Sequence, residues 1–254
     1  MPSFSANLGF LWTELSLPEA VRAAARAGFD AVEMHWPYDE DATAIRAALA
    51  DTGLPLMGIN TRRGPEGAFG LAAVPGQGAA ARDHIDEAIA GARALGSAAV
   101  HVMAGLGEGA AARVAFEEHL AYACAQAGAD GPTILIEPLN RQDVPGYFLG
   151  DFDLAGEIIA ALDLPNLKLM FDSYHAGRMG LDIRRTFAIC QPMVGHVQIA
   201  GVPDRGPPDI STPDQRPFLH DLDALGWDRP VGAEYRPPGR TEDSLGWMAG
   251  LRHP

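Results

Sequence analysis

The sequence has 254 residues, of which 47% are apolar and 20% are charged, a composition that excludes a disordered or collagen-like chain. The 19 basic and 33 acidic residues give a formal net charge of −14, which opposes binding to nucleic acids and to anionic membranes. The sequence shows neither an export signal nor the ~18 uninterrupted apolar residues of a membrane span. Cys124 and Cys190 lie in predicted helices without Cys-x-x-Cys spacing, so we expect buried thiols in a cytoplasmic protein.

Short segments of strand type alternate with longer segments of helical periodicity along the whole chain. The predicted strands are Ser5–Gly9, Ala31–His35, Pro55–Asn60, Ala98–Met103, Thr133–Glu137, Leu167–Asp172, Gly195–Ala200 and Val231–Tyr235. The predicted helices are Leu17–Ala27, Asp41–Asp51, Ala79–Leu95, Gly109–Ala127, Phe152–Leu162, Leu181–Cys190, Pro213–Ala224 and Glu242–Leu251. Eight such units without a low-complexity linker predict an α/β protein with one domain over residues 1–254, a (β/α)₈ or TIM barrel.

Four consecutive predicted strands end in side chains that carry oxygen atoms. These residues are Glu137, Asp172, Gln198 and Glu234. In a parallel barrel the carboxyl ends of the strands meet at one mouth, so we expect the four side chains to converge there. Three converging carboxylates repel one another unless a cation lies between them. Carboxylate and amide oxygens favour Mg²⁺ or Mn²⁺, although cobalt and zinc stay open as alternatives.

Two loop residues are further candidates for the same site. His175 lies three residues after Asp172, in the turn after the sixth predicted strand, where it can serve as a metal ligand, a hydrogen-bond donor to a substrate, or an ordinary loop residue. Arg205 follows the seventh predicted strand, and its planar guanidinium suits a substrate carboxylate. The sequence contains no phosphate-binding Gly-Lys-Ser/Thr loop, no nucleophile elbow and no His-Glu-x-x-His helix, so NTP hydrolysis, serine hydrolysis and zincin chemistry have no support.

Several stretches resemble the hydroxypyruvate isomerase family, which is part of the sugar isomerases and epimerases related to xylose isomerase. The resemblance is carried by Ile134–Leu149, Phe171–His175, Gly195–Arg205 and Gly232–Tyr235, with further agreement at Ala6–Leu8 and His101–Gly105. It therefore covers nearly the whole chain. The segment from Ile136 to Asn140, which reads Ile-Glu-Pro-Leu-Asn, is its most specific part.

The resemblance implies a metal-assisted isomerase that converts hydroxypyruvate to tartronate semialdehyde through an enediolate. In that family pattern Glu137 and Glu234 transfer the proton, and together with Asp172 and Gln198 they hold the metal. By the same resemblance His175, Asp143 and Arg205 contact the substrate.

The segment after Arg205 departs from the family pattern. The family continues with His-Glu-Pro and then Gly-Glu, whereas this chain has Gly206-Pro207-Pro208-Asp209 and then Ser211-Thr212. A 2-oxo-tetronate isomerase and a keto-sugar 3-epimerase on the same scaffold therefore remain alternatives.

Two other classes of function are weaker alternatives. A DNA-repair endonuclease of the related barrel group needs several extra histidines for its multi-metal site, and none of the four strand ends is a histidine. The second alternative is a barrel that binds a sugar but does not catalyse a reaction. We expect a small-molecule substrate, no nucleic-acid or membrane partner, and either a monomer or a homo-oligomer.

Overall fold

The computed structural model describes residues 3–209 and 215–252. Its strands are β1 (Phe4–Asn7), β2 (Ala31–Glu33), β3 (Ile59–Asn60), β4 (Ala99–His101), β5 (Thr133–Ile136), β6 (Leu167–Asp172), β7 (Val194–Ile199) and β8 (Val231–Ala233). The helices are α1 (Leu17–Arg26), α2 (Ala42–Thr52), α3 (Gly78–Leu95), α4 (Gly109–Ala127), α5 (Phe152–Leu162), α6 (Ser173–Arg178), α7 (Ile183–Cys190), α8 (Gln215–Ala224) and α9 (Gly246–Arg252). Short 3₁₀ turns occur at Pro37–Asp39, Gln191–Met193 and Thr241–Ser244. Strands and helices alternate along the chain as predicted.

The strands form one parallel sheet in the order β2-β1-β8-β7-β6-β5-β4-β3. The sheet closes on itself between β2 and the segment before β3, where Val32 pairs with Leu56. The Val32 amide donates to the Pro55 carbonyl at 3.0 Å, and the Met34 amide donates to the Gly58 carbonyl at 3.0 Å. The predicted (β/α)₈ barrel is therefore confirmed.

Alternation along the strands divides the side chains between two environments. Phe171 in β6 faces the helices and packs against Phe152 and Phe187, with ring centres 5.1 and 5.2 Å away. Burial of each such ring contributes about 1.5–3 kcal/mol to folding. Leu135 and Met170 lie in a separate apolar cluster inside the barrel. Side chains two residues apart on a strand point to the same face. Glu137 and Asp172, at the carboxyl ends, therefore face the same way as Leu135 and Met170.

Helices α7 and α9 begin later than predicted, and one predicted helix start lies outside the described residues. Helix α9 begins at Gly246 rather than Glu242, because the chain forms a 3₁₀ turn over Thr241–Ser244. Helix α7 begins at Ile183 rather than Leu181, because the Asp182 side chain accepts a hydrogen bond from the Arg185 amide at 3.0 Å and so caps the helix there. The predicted start of the next helix, at Pro213, lies outside the described residues.

The two cysteines are free and buried, as predicted. Burial raises the pKa of Cys124 to about 12 and that of Cys190 to about 11. Neither thiol is therefore activated for nucleophilic chemistry. In the part of the chain that the structure describes, no helix combines the length and apolar character that a membrane crossing requires.

Candidate active site

The four strand-end residues predicted to form the site lie along one arc of the barrel mouth. Glu137 directly follows β5, Asp172 ends β6, Gln198 lies near the end of β7, and Glu234 directly follows β8. These strands are neighbours in the sheet. All four side chains are buried, and Glu234 is the most exposed at 6%.

Asp172 and Gln198 are paired across two strands because the register of β6 and β7 shifts just before Met170. After the shift, Met170 pairs with His196 and Asp172 pairs with Gln198. Side chains alternate along a strand, so one extra residue in β7 decides which set faces the interior. This bulge places Gln198, rather than Val197, beside Asp172.

His175 reaches the same cluster through α6, a helix that the sequence did not predict. The Asp172 Oδ1 atom accepts a hydrogen bond from the Tyr174 amide at 2.9 Å and so starts the helix at the end of the strand. His175 Nε2 then lies 3.7 Å from Asp172 Oδ2 and 3.7 Å from Glu137 Oε1. The ligand atoms of these three side chains lie within 4.8 Å of one another, an arrangement compatible with a divalent cation.

A hydrogen bond from the backbone determines which ring nitrogen of His175 carries the proton. The Asn140 amide donates to His175 Nδ1 at 3.0 Å, so Nδ1 is an acceptor. Burial, reinforced by the charge of Arg205, lowers the pKa of His175 to about 3, and the ring is neutral at pH 7. A neutral ring that accepts at Nδ1 carries its proton on Nε2. In this arrangement His175 presents its Nε2 proton, a hydrogen-bond donor, to the cluster.

Arg205 lies against the carboxylates of the site. Its Nη2 atom is 3.0 Å from Glu234 Oε2 and 3.4 Å from Asp172 Oδ2. The guanidinium stacks between two rings, with its central carbon 4.8 Å from the Phe10 ring centre and 5.0 Å from that of Tyr174. Its backbone is in the left-handed region, at φ 55°. Ion pairing and stacking together hold this uncommon conformation at the mouth.

Asp143 lines the cavity, but its contacts are with protein groups. Its Oδ2 atom accepts hydrogen bonds from Asn140 Nδ2 at 2.9 Å and from the Tyr174 hydroxyl at 2.6 Å. Arg178 Nη2 lies 3.4 Å from the other carboxylate oxygen. Asp143 thus fixes Asn140, which in turn orients His175.

Two histidines at the mouth were missed, because only the last four strand ends were considered. His35 lies two residues after the end of β2, and its Nε2 atom is 3.1 Å from Glu234 Oε1. His101 ends β4, and its Nδ1 atom is 3.7 Å from Glu137 Oε2. His35 ends one predicted strand and His101 lies near the end of another, so attention to the ends of all eight strands would have identified both. None of the four predicted strand-end residues is a histidine, but these two histidines from other strands lie beside them.

The pKa values of Glu137 and Glu234 are shifted in opposite directions. Burial, together with the charges of Glu234 and Asp172, raises the pKa of Glu137 well above its usual range. Burial alone would also raise the pKa of Glu234, but Arg205 and His35 outweigh it and lower the value to about 2. Burial raises the pKa of Asp172 to about 7, against the opposing charge of Arg205. Their surroundings therefore favour the protonated form of Glu137 and the ionised form of Glu234.

Two oxygen atoms of the cluster fit a hard cation. Glu137 Oε1 and Gln198 Oε1 are buried and have no hydrogen-bond partner within residues 3–209 and 215–252. The amide nitrogen of Gln198 donates to Glu33 Oε2 at 2.7 Å, which turns its oxygen away from that partner. Buried oxygens without donors are costly unless a cation or water satisfies them. With the oxygens of Asp172 and Glu234, they form the oxygen-rich set that divalent metals such as Mg²⁺ and Mn²⁺ prefer.

Glu137, His175 and Glu234 line a cavity of about 570 Å³, whereas Asp172 and Gln198 are not among its lining residues. This volume is within the range of ~300–1,000 Å³ that is typical of small-molecule sites. Its walls also include Phe10, Trp36, Arg63, Phe69 and Arg236.

A model of the xylose isomerase-like TIM barrel family matches residues 21–251. The chain belongs to this family. It is 39% identical to the 2-oxo-tetronate isomerase of Cupriavidus necator, over 98% of each chain. It is 40% identical to a human protein that carries the provisional name hydroxypyruvate isomerase, over 96% of this chain and 93% of the relative.

A solved structure shows the same fold throughout. The crystal structure of an AP endonuclease, family 2, from Brucella melitensis superposes with a TM-score of 0.93 at 36% identity, covering 98% of this chain and 99% of the other. The family model and the named relatives confirm, over nearly the full length, the resemblance to the hydroxypyruvate isomerase family inferred from the sequence motifs.

Proposed function

We propose that this protein is a metal-assisted isomerase of short hydroxy-oxo acids, which converts hydroxypyruvate to tartronate semialdehyde. The observation that carries the proposal is the pair of buried glutamates, Glu137 and Glu234, whose pKa values are shifted in opposite directions on either side of Asp172 and Gln198. Two titratable groups with divergent pKa values are the usual arrangement for an acid and a base. The isomerase names of relatives at about 40% identity support the same reaction class.

The two glutamates have complementary tasks. Ionised Glu234 removes the proton from the substrate carbon that bears the hydroxyl group. Protonated Glu137 delivers a proton to the neighbouring carbonyl carbon, and the hydroxyl proton passes to the former carbonyl oxygen. The hydroxyl-bearing carbon becomes the aldehyde, so atoms and electrons balance without an oxidant.

Glu137, Asp172, Gln198 and Glu234 would hold the metal, for which Mg²⁺ and Mn²⁺ are the proposed ions. When bound, such an ion withdraws electron density from adjacent substrate oxygens and so makes the carbon proton more acidic. His175 would donate its Nε2 proton to a substrate oxygen as negative charge develops there. Arg205 and Asp143 are the other proposed substrate contacts, Arg205 through its guanidinium and Asp143 from the cavity wall.

A 2-oxo-tetronate isomerase is the second candidate, and the Cupriavidus necator relative at 39% identity favours it. The chemistry at the two carbons is the same, and only the length of the acid differs. A keto-sugar 3-epimerase would instead invert one carbon and leave the carbonyl in place.

The proposal is tested by incubating the Mn²⁺-loaded protein in D₂O with hydroxypyruvate, 2-oxo-tetronate and keto-hexoses, and following the products by NMR. We expect tartronate semialdehyde from hydroxypyruvate, or the 3-oxo isomer from 2-oxo-tetronate, and deuterium at the carbon that receives the proton. Inversion of a keto-hexose without an aldehyde product would indicate the epimerase instead. Binding of metal and ligand without deuterium exchange would indicate a barrel without turnover.

The roles of the glutamates are tested by Glu137→Gln and Glu234→Gln. Loss of an acid or base typically lowers turnover by about 10²- to 10⁴-fold. Glu118→Gln, an exposed substitution on α4, is the matched control. Retention of more than about a tenth of wild-type turnover in either site variant would exclude that residue from the proton transfer.

A further inference from the structure

Both carboxylate oxygens of Glu234 are bound by protein donors. His35 Nε2 lies 3.1 Å from Glu234 Oε1, and Arg205 Nη2 lies 3.0 Å from Glu234 Oε2. An ionised carboxylate only accepts hydrogen bonds, so the His35 nitrogen that faces it carries the ring proton. A carboxylate that is held at one oxygen rotates broadly about its terminal bond, whereas one held at both oxygens has a fixed plane. The plane of the Glu234 carboxylate is therefore fixed by the protein.

Glu137 is not held in this way. The histidines beside it, His101 and His175, each place a ring nitrogen 3.7 Å from one of its oxygens, which is beyond hydrogen-bond distance. Glu137 Oε1 has no hydrogen-bond partner among the residues that the structure describes. The two glutamates thus differ in how firmly the protein orients them, as well as in the direction of their pKa shifts.

The His35 ring is itself held in place by its neighbours. It meets the Phe10 ring edge-on, with ring centres 5.2 Å apart, and its centre lies 4.9 Å from that of the Trp36 ring. On a further side it lies against Gly9, where a Cβ atom would collide with the imidazole. This packing fixes the orientation in which Nε2 points to Glu234.

His35 and Arg205 hold Glu234 in different ways. Arg205 Nη2 also lies 3.4 Å from Asp172 Oδ2, and its guanidinium is a proposed contact of the substrate. His35 has no second carboxylate within ion-pair distance in the part of the chain that the structure describes. His35 therefore holds Glu234 whether or not the guanidinium engages a substrate.

We propose that His35 is a positioning residue of the isomerase reaction, which holds the Glu234 carboxylate in the plane from which it removes the proton of the hydroxyl-bearing carbon. His35 acts through Glu234 and does not itself exchange a proton with the substrate. This inference rests on the proposed function and adds a residue to it. Orientation matters here because a displacement of about 1 Å at a reacting group can lower the rate by about 10²-fold.

The proposal is tested with His35→Ala and His35→Gln in the Mn²⁺-loaded protein, assayed with the acid that it isomerises, hydroxypyruvate or 2-oxo-tetronate. For His35→Ala we expect kcat to fall about 10- to 100-fold while KM changes less than about threefold, because only the aim of the base is lost. Deuterium on the hydroxyl-bearing carbon should slow His35→Ala more than wild type, since abstraction of that proton becomes the slow step. His35→Gln recovers most of the loss, because its amide nitrogen donates from the same position along the side chain.

His220→Ala is the matched control, since His220 is an exposed residue of α8 and the same side chain is removed. A kcat for His35→Ala within about twofold of wild type would overturn the proposal. A rise in KM at unchanged kcat would also overturn it, because His35 would then be a substrate contact. So would an equal loss in His35→Gln and His35→Ala, which would show that the packing of the ring matters rather than its donor.

A double-mutant cycle locates the effect. In a Glu234→Gln background, His35→Ala should have little further effect on the residual turnover, since the group that it positions is already gone. An equal effect of His35→Ala in both backgrounds would show that His35 does not act through Glu234.

A measurement without turnover separates this inference from the proposed function. In ¹H–¹⁵N NMR spectra of the metal-free protein, we expect a hydrogen-bonded Nε2–H resonance of His35 in wild type and in His220→Ala, and its loss in Glu234→Ala. An unchanged resonance in Glu234→Ala overturns the contact even if the protein isomerises acids. Loss of the resonance in Glu234→Ala supports the contact even if isomerisation of the tested acids is absent, and that absence would then count against the proposed function alone.

Discussion

Glu33 Oε2 accepts a hydrogen bond of 2.7 Å from the amide nitrogen of Gln198, and both side chains are buried inside the barrel. Ser5 and His196 also contact the Glu33 carboxylate. Gly232 makes room for this arrangement, since a Cβ atom there would lie 2.4 Å from Glu33 Oε1. Glu33 thereby determines that Gln198 presents its oxygen, not its nitrogen, to the proposed metal.

We expect Glu33→Gln to weaken Mn²⁺ binding by about tenfold or more, the usual effect of altering a residue that orients a metal ligand. The neutral amide accepts more weakly than a carboxylate and no longer specifies the orientation of Gln198. Titration of the metal-free protein, followed by the Mn²⁺ EPR signal, measures the change. Ser5→Ala is the control, because it removes a partner of Glu33 without touching Gln198. Equal Mn²⁺ affinity in Glu33→Gln and wild type would contradict the positioning role.

We expect Asp172→Asn to stabilise the metal-free protein at pH 8 but not at pH 5. The pKa of Asp172 is raised by burial from 3.8 to about 7, so the stability linked to this group is fully present below pH 3.8 and is lost as the pH rises through 7. At pH 8 the wild-type protein carries a buried ionised carboxyl group that the variant lacks. The gain should be on the order of 1 kcal/mol, measured by urea unfolding in the presence of a chelator.

Asp143→Asn is the control for this pH dependence. Burial tends to raise the pKa of Asp143, but hydrogen bonds from Tyr174 and Asn140 outweigh it and lower the value below 3.8. Its stabilising contribution is therefore fully present at both pH 5 and pH 8 and is lost only in stronger acid. The stability difference between Asp143→Asn and wild type should be the same at both values. A similarly constant difference for Asp172→Asn would show that its carboxyl group titrates normally.

We expect His175 to remain the neutral Nε2-protonated tautomer from pH 5 to pH 8 in the metal-free protein. Its pKa is lowered to about 3 by burial, and its Nδ1 atom accepts from the Asn140 amide at 3.0 Å. The ¹⁵N chemical shifts of the two ring nitrogens distinguish this tautomer from the other one and from the cation. Titration of the His175 shifts between pH 5 and pH 7 would contradict the donor role proposed here.

We expect Gly9→Ala to lower kcat by about tenfold by displacing His35 from Glu234. A Cβ atom on Gly9 would lie 2.1 Å from His35 Nδ1, a distance at which the ring must move. Gly9→Ala should therefore have little further effect in a His35→Ala background, a non-additivity that a double-mutant cycle measures. Gly239→Ala, where a Cβ atom meets nothing within 4 Å, is the control. An equal effect of Gly9→Ala in both backgrounds would show that it acts elsewhere.

The sequence predicted the barrel and the four strand-end residues because both depend on local pattern. Each strand and helix carries its own periodicity, and parallel strands in a closed sheet bring their carboxyl ends together whatever the details of packing. Helix α6 escaped prediction because six residues are too few to show a periodicity, and its start depends on the Asp172 side chain.

The contacts that tune the site depended on tertiary structure. His35 meets Glu234 across 199 residues of sequence, and Glu33 meets Gln198 across 165. Arg205, which the sequence predicts to bind a substrate carboxylate, also contacts two carboxylates of the protein. Local pattern determines which residues end a strand, whereas barrel closure and strand register decide which of them touch. The directions of the pKa shifts at Glu137 and Glu234 follow from those contacts and from burial, so only the folded barrel determines them.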